Sequence, residues 1–195
     1  MGLEKDRAFI IAAVPDLQEY ILSSQLYWPV NLKIPGQPQE AASLTLGNLL
    51  LALKRLVIDT NPPPIYDPFL ELEKSIYPLR ERWLSNWKAK AEKEFEERLR
   101  QWERYVINPY KNSGQYWQEY PFEVRRRVIL QLLGVEMGEI PPTSVRELDH
   151  LDKLLRPLCK PGPYIWETST EKNFPRDDYW YLYIMVHKNN EKGNA

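Results

Sequence analysis

The fold of this chain is decided by a charged and aromatic stretch at residues 67–107, which reads DPFLELEKSIYPLRERWLSNWKAKAEKEFEERLRQWERYVI. Asp67 followed by Pro68 is typical of a helix start, because aspartate caps the first turn and proline is tolerated at the first helical position. Apolar residues then recur every three or four positions as far as Val106. This spacing predicts one long helix, which we expect to kink or divide at Pro78.

The predicted helix is too long for a spherical fold. Its 41 residues rise about 60 Å in helical geometry, whereas a globule of 195 residues has a diameter of about 40 Å. The apolar stripe advances by about 3.8 residues per step, so it drifts around the helix and is not a heptad seam. We therefore expect the helix to bend at Pro78, to protrude or to pair with another chain, with its two ends on different surfaces.

The middle of the predicted helix is dense in charge, with eight charged residues among the eleven from Lys88 to Arg98. Opposite charges lie four residues apart, as in Lys90/Glu94, and each such pair adds about 0.2–0.5 kcal/mol to helix stability. Two interpretations are open. The middle is either a solvent-exposed bridge that is wet on all sides or an ordinary surface helix with a charged outer face.

Amphipathic patterns elsewhere bring the predicted number of helices to six or seven. An apolar helix capped by Thr45 and extending to about residue 58 is the predicted core helix. The remaining helices are predicted over residues 1–24, from Pro121 to about residue 134 or 138, and from a capping box at Ser144 and Glu147 to about residue 158. Prolines and a glycine within residues 28–39 predict an irregular connection, and three prolines at residues 62–64 predict a stiff spacer.

The C-terminal part changes to aromatic and β-branched residues, the composition of strands. We predict an antiparallel hairpin over residues 164–187, with strands Tyr164–Thr168 and Tyr179–Val186. Both faces of the second strand are apolar, so the hairpin must be covered by helices or by a partner. The predicted fold is thus mainly α: an irregular multi-helix bundle with a C-terminal β-hairpin, a single domain over residues 1–188 and a disordered tail over residues 189–195.

Composition excludes several classes of protein. The chain has 26 Lys and Arg against 27 Asp and Glu, for a net charge of −1, and acids and bases are interleaved throughout. This balance argues against a strongly cationic nucleic-acid binder and against a membrane-surface protein. The apolar runs are too short for a membrane span, and the charged N-terminal residues do not resemble a signal peptide. We expect a cytoplasmic protein with no membrane association.

Catalytic and metal motifs are missing from the sequence. A single cysteine, Cys159, cannot form an intramolecular disulfide or a thiolate zinc cluster. Glu147 and His150 have di-iron spacing, but no second copy of the motif exists. No phosphate-binding loop or serine elbow occurs. We assign no catalytic residue, metal or cofactor, and infer no small-molecule ligand; a small enzyme using His187 or Cys159 is a third hypothesis.

The aromatic residues suggest binding to another protein, because Trp and Tyr are favoured at interface centres. We predict a non-enzymatic helical interaction or assembly protein that binds a partner protein or a second copy of itself. The candidate interaction residues are Trp83, Trp87, Trp102, Trp180, Tyr181 and Tyr183.

A nucleic-acid-binding module is the alternative, centred on the segment from Tyr116 to Arg127. Aromatic stacking and phosphate contact would be combined there by Tyr116, Trp117, Arg125, Arg126 and Arg127. Consecutive helical residues point about 100° apart, so three successive arginines do not form one flat patch. Glutamates at positions 119 and 123 also neutralise the segment, so we regard nucleic acid as the less favoured partner.

Overall fold

The fold is that of a mainly helical protein with two small antiparallel strand pairs. The computed structural model describes residues 2–57, 68–108 and 114–186, so the predicted proline spacer, His187 and the predicted disordered tail lie outside the described residues. The α-helices of the described part are α1 Leu3–Ala13, α2 Leu17–Leu22, α3 Leu46–Leu56, α4 Pro68–Arg82, α5 Leu84–Val106, α6 Gly114–Glu123, α7 Arg125–Met137 and α8 Pro142–Leu155. The predicted fold class, mainly α with a C-terminal β-hairpin, is confirmed.

The long helical stretch passes through Pro78 without ending there. Pro78 lies inside α4, and the interruption between α4 and α5 falls on the single residue Trp83. The N–H of Trp83 donates to the carbonyl of Leu79 (3.0 Å), and that of Trp87 donates to the carbonyl of Trp83 (2.9 Å). These i to i−4 bonds bridge the interruption.

Several helix starts differ from the sequence prediction. α8 begins at Pro142 with Pro141 as its cap, so the predicted capping box at Ser144 is wrong. Proline has a fixed φ suited to the first helical position, and the observed cap lies three residues upstream of the predicted one. α6 begins at Gly114 and has Pro121 in its interior, where we predicted that Pro121 would open a helix. The Thr45 cap is confirmed, because its side chain accepts a hydrogen bond from Asn48 N.

An N-terminal hairpin replaces the irregular connection predicted over residues 28–39. Strand β1 (Trp28–Leu32) pairs antiparallel with β2 (Glu40–Leu44), and Trp28 lies opposite Leu44. Gly36 has a φ of +74° in the turn, a conformation that favours glycine. Val30, Leu32 and Ile34 are buried while the residues between them are exposed, which is the two-residue period of a strand. The period was present in the sequence, but the surrounding prolines obscured it.

The C-terminal hairpin is shorter than predicted and has a different first strand. Strand β3 (Cys159–Pro161) pairs antiparallel with β4 (Ile184–Val186), whereas the predicted strand Tyr164–Thr168 is not a strand. Phe174, which lies between the two predicted strands, is fully buried. The centroid of its ring lies 5.4 Å from that of Trp166 and 5.1 Å from that of Tyr179, and both contacts are edge-on. These rings therefore cluster around Phe174 and do not alternate along a strand.

The chain divides into two compact units. Unit 1 comprises Met1–Glu96 with Ile129–Glu139, and unit 2 comprises Glu97–Val128 with Ile140–Ala195. The core of unit 1 is built largely from aliphatic side chains with four aromatic rings, and its members include Phe9, Ile10, Leu17, Tyr20, Leu44, Leu49, Trp87, Phe95 and Ile129. The core of unit 2 is more aromatic and includes Trp102, Tyr120, Val124, Leu155, Phe174 and Tyr181.

The charged middle of α5 is not wet on all sides: its outer face has the exposed Glu92 and Glu96, as the surface-helix interpretation expects, but its inner face is charged as well. Lys90 and Glu94 are buried. Glu94 accepts hydrogen bonds from the Thr45 hydroxyl (2.7 Å) and from Gly47 N (2.8 Å), so its carboxylate lies at the N-terminus of α3, where the helix dipole favours negative charge. The Nζ of Lys90 donates to the Gln25 carbonyl and to the Ser23 hydroxyl. Charges predicted to pair along one helix thus bond to other elements of unit 1.

Candidate functional site

Unit 1 contains an apolar cavity of about 210 Å³, which we call the α3–α4 cavity. Its walls come from α3, α4, α5 and α7 and from Val57 just after α3. Residues three and four positions apart share one face of a helix. The lining residues have this spacing, as in Leu50, Leu53 and Lys54 of α3. Its apolar lining consists of Leu50, Leu53, Val57, Ile76, Tyr77 and Trp87.

The cavity has a polar end, formed by Arg80 and Glu136, and its remaining polar lining residue is Lys54. Oε2 of Glu136 accepts hydrogen bonds from Nε1 of Trp87 (2.8 Å) and from Nε of Arg80 (2.6 Å). The Glu136 side chain is mostly buried, while that of Arg80 is about one-third exposed. Because Glu136 is held from two sides, its carboxylate and the Arg80 guanidinium are fixed relative to the apolar wall.

The rim of the cavity is apolar and exposed. Val57 and Tyr77 are 54% and 59% exposed, and both also line the cavity. Exposed large apolar residues that adjoin a concave surface are typical of a binding site. Leu50 and Leu53, half-buried in the wall, join this rim to the buried ring of Trp87.

The size of the cavity limits what it can hold. A dry apolar cavity of about 150 Å³ accommodates benzene, whereas sites for drug-sized ligands and cofactors occupy roughly 300–1,000 Å³. A volume of about 210 Å³ therefore suits one large aliphatic or aromatic side chain. The lining includes neither histidine nor cysteine, and no group of His, Cys, Asp and Glu suited to a metal ion occurs among the described residues.

The sequence did not single out Glu136 or Arg80. The available signal was that Glu136 is the sole acid of α7, a helix whose only other polar side chain after its three leading arginines is Gln131. A lone acid in such a helix requires a partner if it is buried. Nothing in the sequence indicated that its partners would be Trp87 and Arg80, 49 and 56 residues away.

The six aromatic residues predicted to bind a partner occupy different environments. Trp87, Trp102, Tyr181 and Tyr183 are buried within the chain, whereas Trp83 and Trp180 are half-buried. The Arg156 guanidinium lies 3.8 Å from the ring centroid of Trp180, a cation–π contact. Of the six, Trp87 lines the α3–α4 cavity; the interaction role of all six stays a prediction.

The three arginines of the nucleic-acid hypothesis have distinct contacts in unit 2. Arg127 is buried and makes a bidentate pair with Asp152 (2.8 and 3.0 Å), while its guanidinium lies 4.6 Å from the Tyr181 ring centroid. Burial lowers the pKa of Arg127, but the hydrogen bonds to Asp152 and nearby charges leave that pKa raised overall. Arg126 pairs with Glu123. Two of the three guanidiniums are therefore bound to carboxylates of the same chain.

The aromatic residues of the nucleic-acid hypothesis lie on α6. Tyr116 and Trp117 lie in the first half of α6. Phe122, near the end of the same helix, is 65% exposed, and the Arg125 guanidinium lies 6.0 Å from its ring centroid. An exposed ring beside a cation is a feature shared by surfaces that stack on bases and by surfaces that bind proteins.

The residues considered for catalysis are not grouped in the described structure. Glu147 is half-buried and His150 is exposed, both on α8. Cys159 is half-buried at the start of β3, and burial raises its pKa from 9.0 to about 12, so the thiol stays protonated near neutral pH. The hypothesis that pairs Cys159 with His187 involves a residue outside the described part of the chain.

The fold and the cavity together define a class of protein: a mainly helical chain with a β-hairpin and a small apolar cavity that has one charged end. Comparison with protein-family models, curated proteins and solved structures finds no match to this chain. Among the described helices, none combines the length and the apolar character needed to cross a lipid bilayer.

Proposed function

We propose that this chain is a cytoplasmic, non-enzymatic interaction protein that binds another protein, or a second copy of itself, through the α3–α4 cavity. The observation that carries the proposal is the combination of an apolar cavity sized for one side chain with the exposed rim residues Val57 and Tyr77. Protein interfaces concentrate their binding energy in such pockets, where a few anchor side chains are fully desolvated.

The charged end of the cavity supports the same function. Trp87, Arg80 and Glu136 form a fixed hydrogen-bonded group beside an apolar wall, and interface hot spots are enriched in Trp and Arg. A rigid group of this kind limits the side-chain entropy lost on binding, which is a large part of the free-energy cost of association.

Photo-crosslinking from the rim tests the proposal. The photoreactive residue p-benzoylphenylalanine replaces Tyr77 in the full chain, and a second protein carries it in place of Tyr27, which is 45% exposed and absent from the cavity lining. Irradiation in an extract of the native host is expected to give a discrete covalent adduct from position 77. An adduct with twice the mass of the chain identifies self-association.

A cavity-filling variant separates specific binding from adventitious capture. Leu53→Trp places a larger apolar side chain in the cavity wall and is expected to abolish the adduct from position 77. Circular dichroism shows whether this variant keeps its helical content. An adduct of equal yield from position 27, an adduct that survives Leu53→Trp, or no adduct at all contradicts the proposal.

The second candidate function is nucleic-acid binding through α6 and the start of α7, and one observation favours it: the exposed ring of Phe122 lies beside Arg125. Labelled single-stranded RNA and DNA titrated at about 50 and 200 mM salt test it, because phosphate contacts weaken steeply as salt rises. Binding that falls with salt and is reduced by both Phe122→Ala and Arg125→Ala supports it. Binding that is weak and unaffected by either substitution excludes this surface.

A further inference from the structure

We propose that the α3–α4 cavity binds one large apolar side chain from an extended segment of the partner, and that Arg80 and Glu136 hydrogen-bond to the backbone of that same residue. This inference rests on the proposed function and specifies the conformation of the partner segment. Three properties of the cavity lead to it: the polar end has no net charge, it has both donor and acceptor positions left, and the apolar wall takes one side chain.

The polar end is an ion pair without net charge. Nε of Arg80 donates to Oε2 of Glu136 over 2.6 Å, and the indole N–H of Trp87 donates to the same oxygen over 2.8 Å. A carboxylate from a partner is attracted by Arg80 and repelled by Glu136, and an ammonium group meets the reverse. Because a charged group also costs more to desolvate than a neutral one, the pair favours a neutral polar group.

Each member of the pair has hydrogen-bonding positions left. Among the residues that the structure describes, the terminal nitrogens of Arg80 and Oε1 of Glu136 have no hydrogen-bond partner. Both side chains line the cavity, and neither is fully buried. Guanidinium N–H groups are donors and a carboxylate oxygen is an acceptor. The complementary group must therefore accept one hydrogen bond and donate another.

The backbone of an extended residue presents such a donor and acceptor on one side. Its N–H and C=O point in the same direction, which is why two opposite residues of an antiparallel ladder can exchange a pair of hydrogen bonds. In the interior of a helix, both groups already bond within the helix. The N–H of the partner residue donates to Glu136 and its C=O accepts from Arg80, so the polar end selects an extended segment over a helical one.

The apolar wall selects the side chain of the same residue. A phenylalanine-sized or leucine-sized side chain buries its surface against aliphatic side chains and the Trp87 ring. When this side chain enters the cavity, water is displaced from the backbone N–H and C=O next to it, and leaving them unpaired costs about as much as a lost hydrogen bond. Arg80 and Glu136 replace that water, which joins the apolar anchor and the backbone contact in one residue.

Blocked single residues test the proposal on the full chain. The reference probe is acetyl-phenylalanine methylamide; its matched ester has an oxygen in place of the phenylalanine N–H, and acetyl-alanine methylamide lacks the ring. The readout is the nuclear magnetic resonance signal of the Trp87 indole N–H, assigned by its disappearance in Trp87→Phe and followed to millimolar probe concentrations. We expect the ester to bind about tenfold more weakly than the reference probe, because it has lost a hydrogen bond to a charged group. The alanine probe should produce no shift.

Two charged probes test the neutrality of the polar end. Acetyl-phenylalanine has a free carboxylate and phenylalanine methylamide has a free ammonium group, and we expect both to bind the native chain more weakly than the reference probe. Arg80→Gln leaves Glu136 as the charged member of the polar end, so binding of the ammonium probe should rise about tenfold relative to the reference probe. Arg82→Gln is the matched control, because it removes an exposed cation of α4 that is absent from the cavity lining, and it should leave this ratio unchanged.

The outcomes separate this inference from the function on which it rests. Equal affinity for the reference probe and its ester, tighter binding of either charged probe, or an unchanged ratio in folded Arg80→Gln overturns the backbone recognition, while an apolar side chain still binds in the cavity. Binding of the alanine probe as strong as that of the reference probe overturns both this inference and the proposed use of the cavity, as does the absence of a shift from every probe.

Discussion

The indole N–H of Trp87 donates a 2.8 Å hydrogen bond to Oε2 of Glu136, which ties a fully buried ring to the polar end of the α3–α4 cavity. A second tryptophan of α5 offers the opposite case. Trp102 is also fully buried, but its indole N–H has no hydrogen-bond partner among the described residues. The two tryptophans thus differ in whether a buried donor is satisfied, and this difference has a measurable consequence.

We predict that Trp87→Phe lowers the free energy of unfolding by about 2 kcal/mol more than Trp102→Phe does. Both substitutions remove the same atoms from a buried site, so the loss of packing is similar. Trp87→Phe also removes a donor from the buried carboxylate of Glu136, and hydrogen bonds to charged groups contribute about 1.5–3 kcal/mol. Trp102→Phe instead removes an unsatisfied donor. Urea denaturation measures both; an equal or larger loss in Trp102→Phe contradicts the prediction.

Glycine at position 47 is required by the close approach of three helices in unit 1, and we predict that Gly47→Ala lowers the free energy of unfolding by about 1–3 kcal/mol. A Cβ there would lie 2.3 Å from Cγ2 of Ile129 and 2.8 Å from Oε1 of Glu94. The carboxylate is fixed by its hydrogen bonds to α3, so relief requires a shift of the helices.

Gly2→Ala is the matched control for Gly47→Ala, because a Cβ at position 2 meets nothing within 4 Å. We expect this control to change the free energy of unfolding by less than about 0.5 kcal/mol. A double-mutant cycle of Gly47→Ala with Ile129→Ala should show a coupling energy, since the two side chains would occupy the same space. Additive effects in the cycle would mean that the steric conflict is elsewhere.

The apolar stripe of α5 was predictable from the sequence, while the use of its charges was not. Trp87, Phe95 and Trp102 are buried as their helical spacing indicates. Lys90 and Glu94 follow the pattern of a local ion pair, but Glu94 caps a helix 47 residues earlier in the chain. Periodicity reports which face of a helix is buried; it contains no information about which distant backbone groups will need a charged partner.

The two hairpins were also only partly predictable from the sequence. Alternation at Val30, Leu32 and Ile34 identifies a half-buried strand, yet the flanking prolines favoured an irregular segment. At the C-terminus the strand-like composition was correct for Ile184–Val186, but the aromatic residues upstream are held by ring contacts with Phe174. The α3–α4 cavity could not be predicted from the sequence either, because it forms where four separate segments of unit 1 meet.

The thiol of Cys159 is predicted to react slowly. Burial raises its pKa from 9.0 to about 12, and the thiolate is the reactive form. At pH 8 the thiolate fraction is then about 1000-fold lower than that of a thiol with the ordinary pKa. A thiolate of higher pKa is also more nucleophilic, which recovers about 30-fold of this difference. We therefore expect iodoacetamide to alkylate the folded chain about 30-fold more slowly, or slower still, than the chain in guanidinium chloride, as followed by mass spectrometry. Rates within about tenfold of each other would show that the thiol is accessible and ionised.

The last prediction concerns the buried amine of Lys90 and the pH dependence of stability. Burial, and to a lesser degree the neighbouring Lys93, lowers the pKa of Lys90 from 10.5 to about 8, while Glu94 partly opposes the shift. Between pH 8 and 10.5 the unfolded chain retains a proton that the folded chain has lost. The free energy of unfolding contributed by this residue must therefore rise with pH across that window.

Other groups titrate in the same range, so the prediction is made for differences between variants. Lys90→Met and Lys90→Arg both abolish the titration, the first by removing the amine and the second because a guanidinium stays charged. Relative to either variant, the native chain is expected to gain about 1–3 kcal/mol between pH 8 and 10.5. Urea denaturation at intervals of one pH unit measures this gain. A difference that stays constant or falls with pH would show that the Lys90 amine keeps its charge where it contacts the Tyr20 ring, 4.2 Å from Nζ.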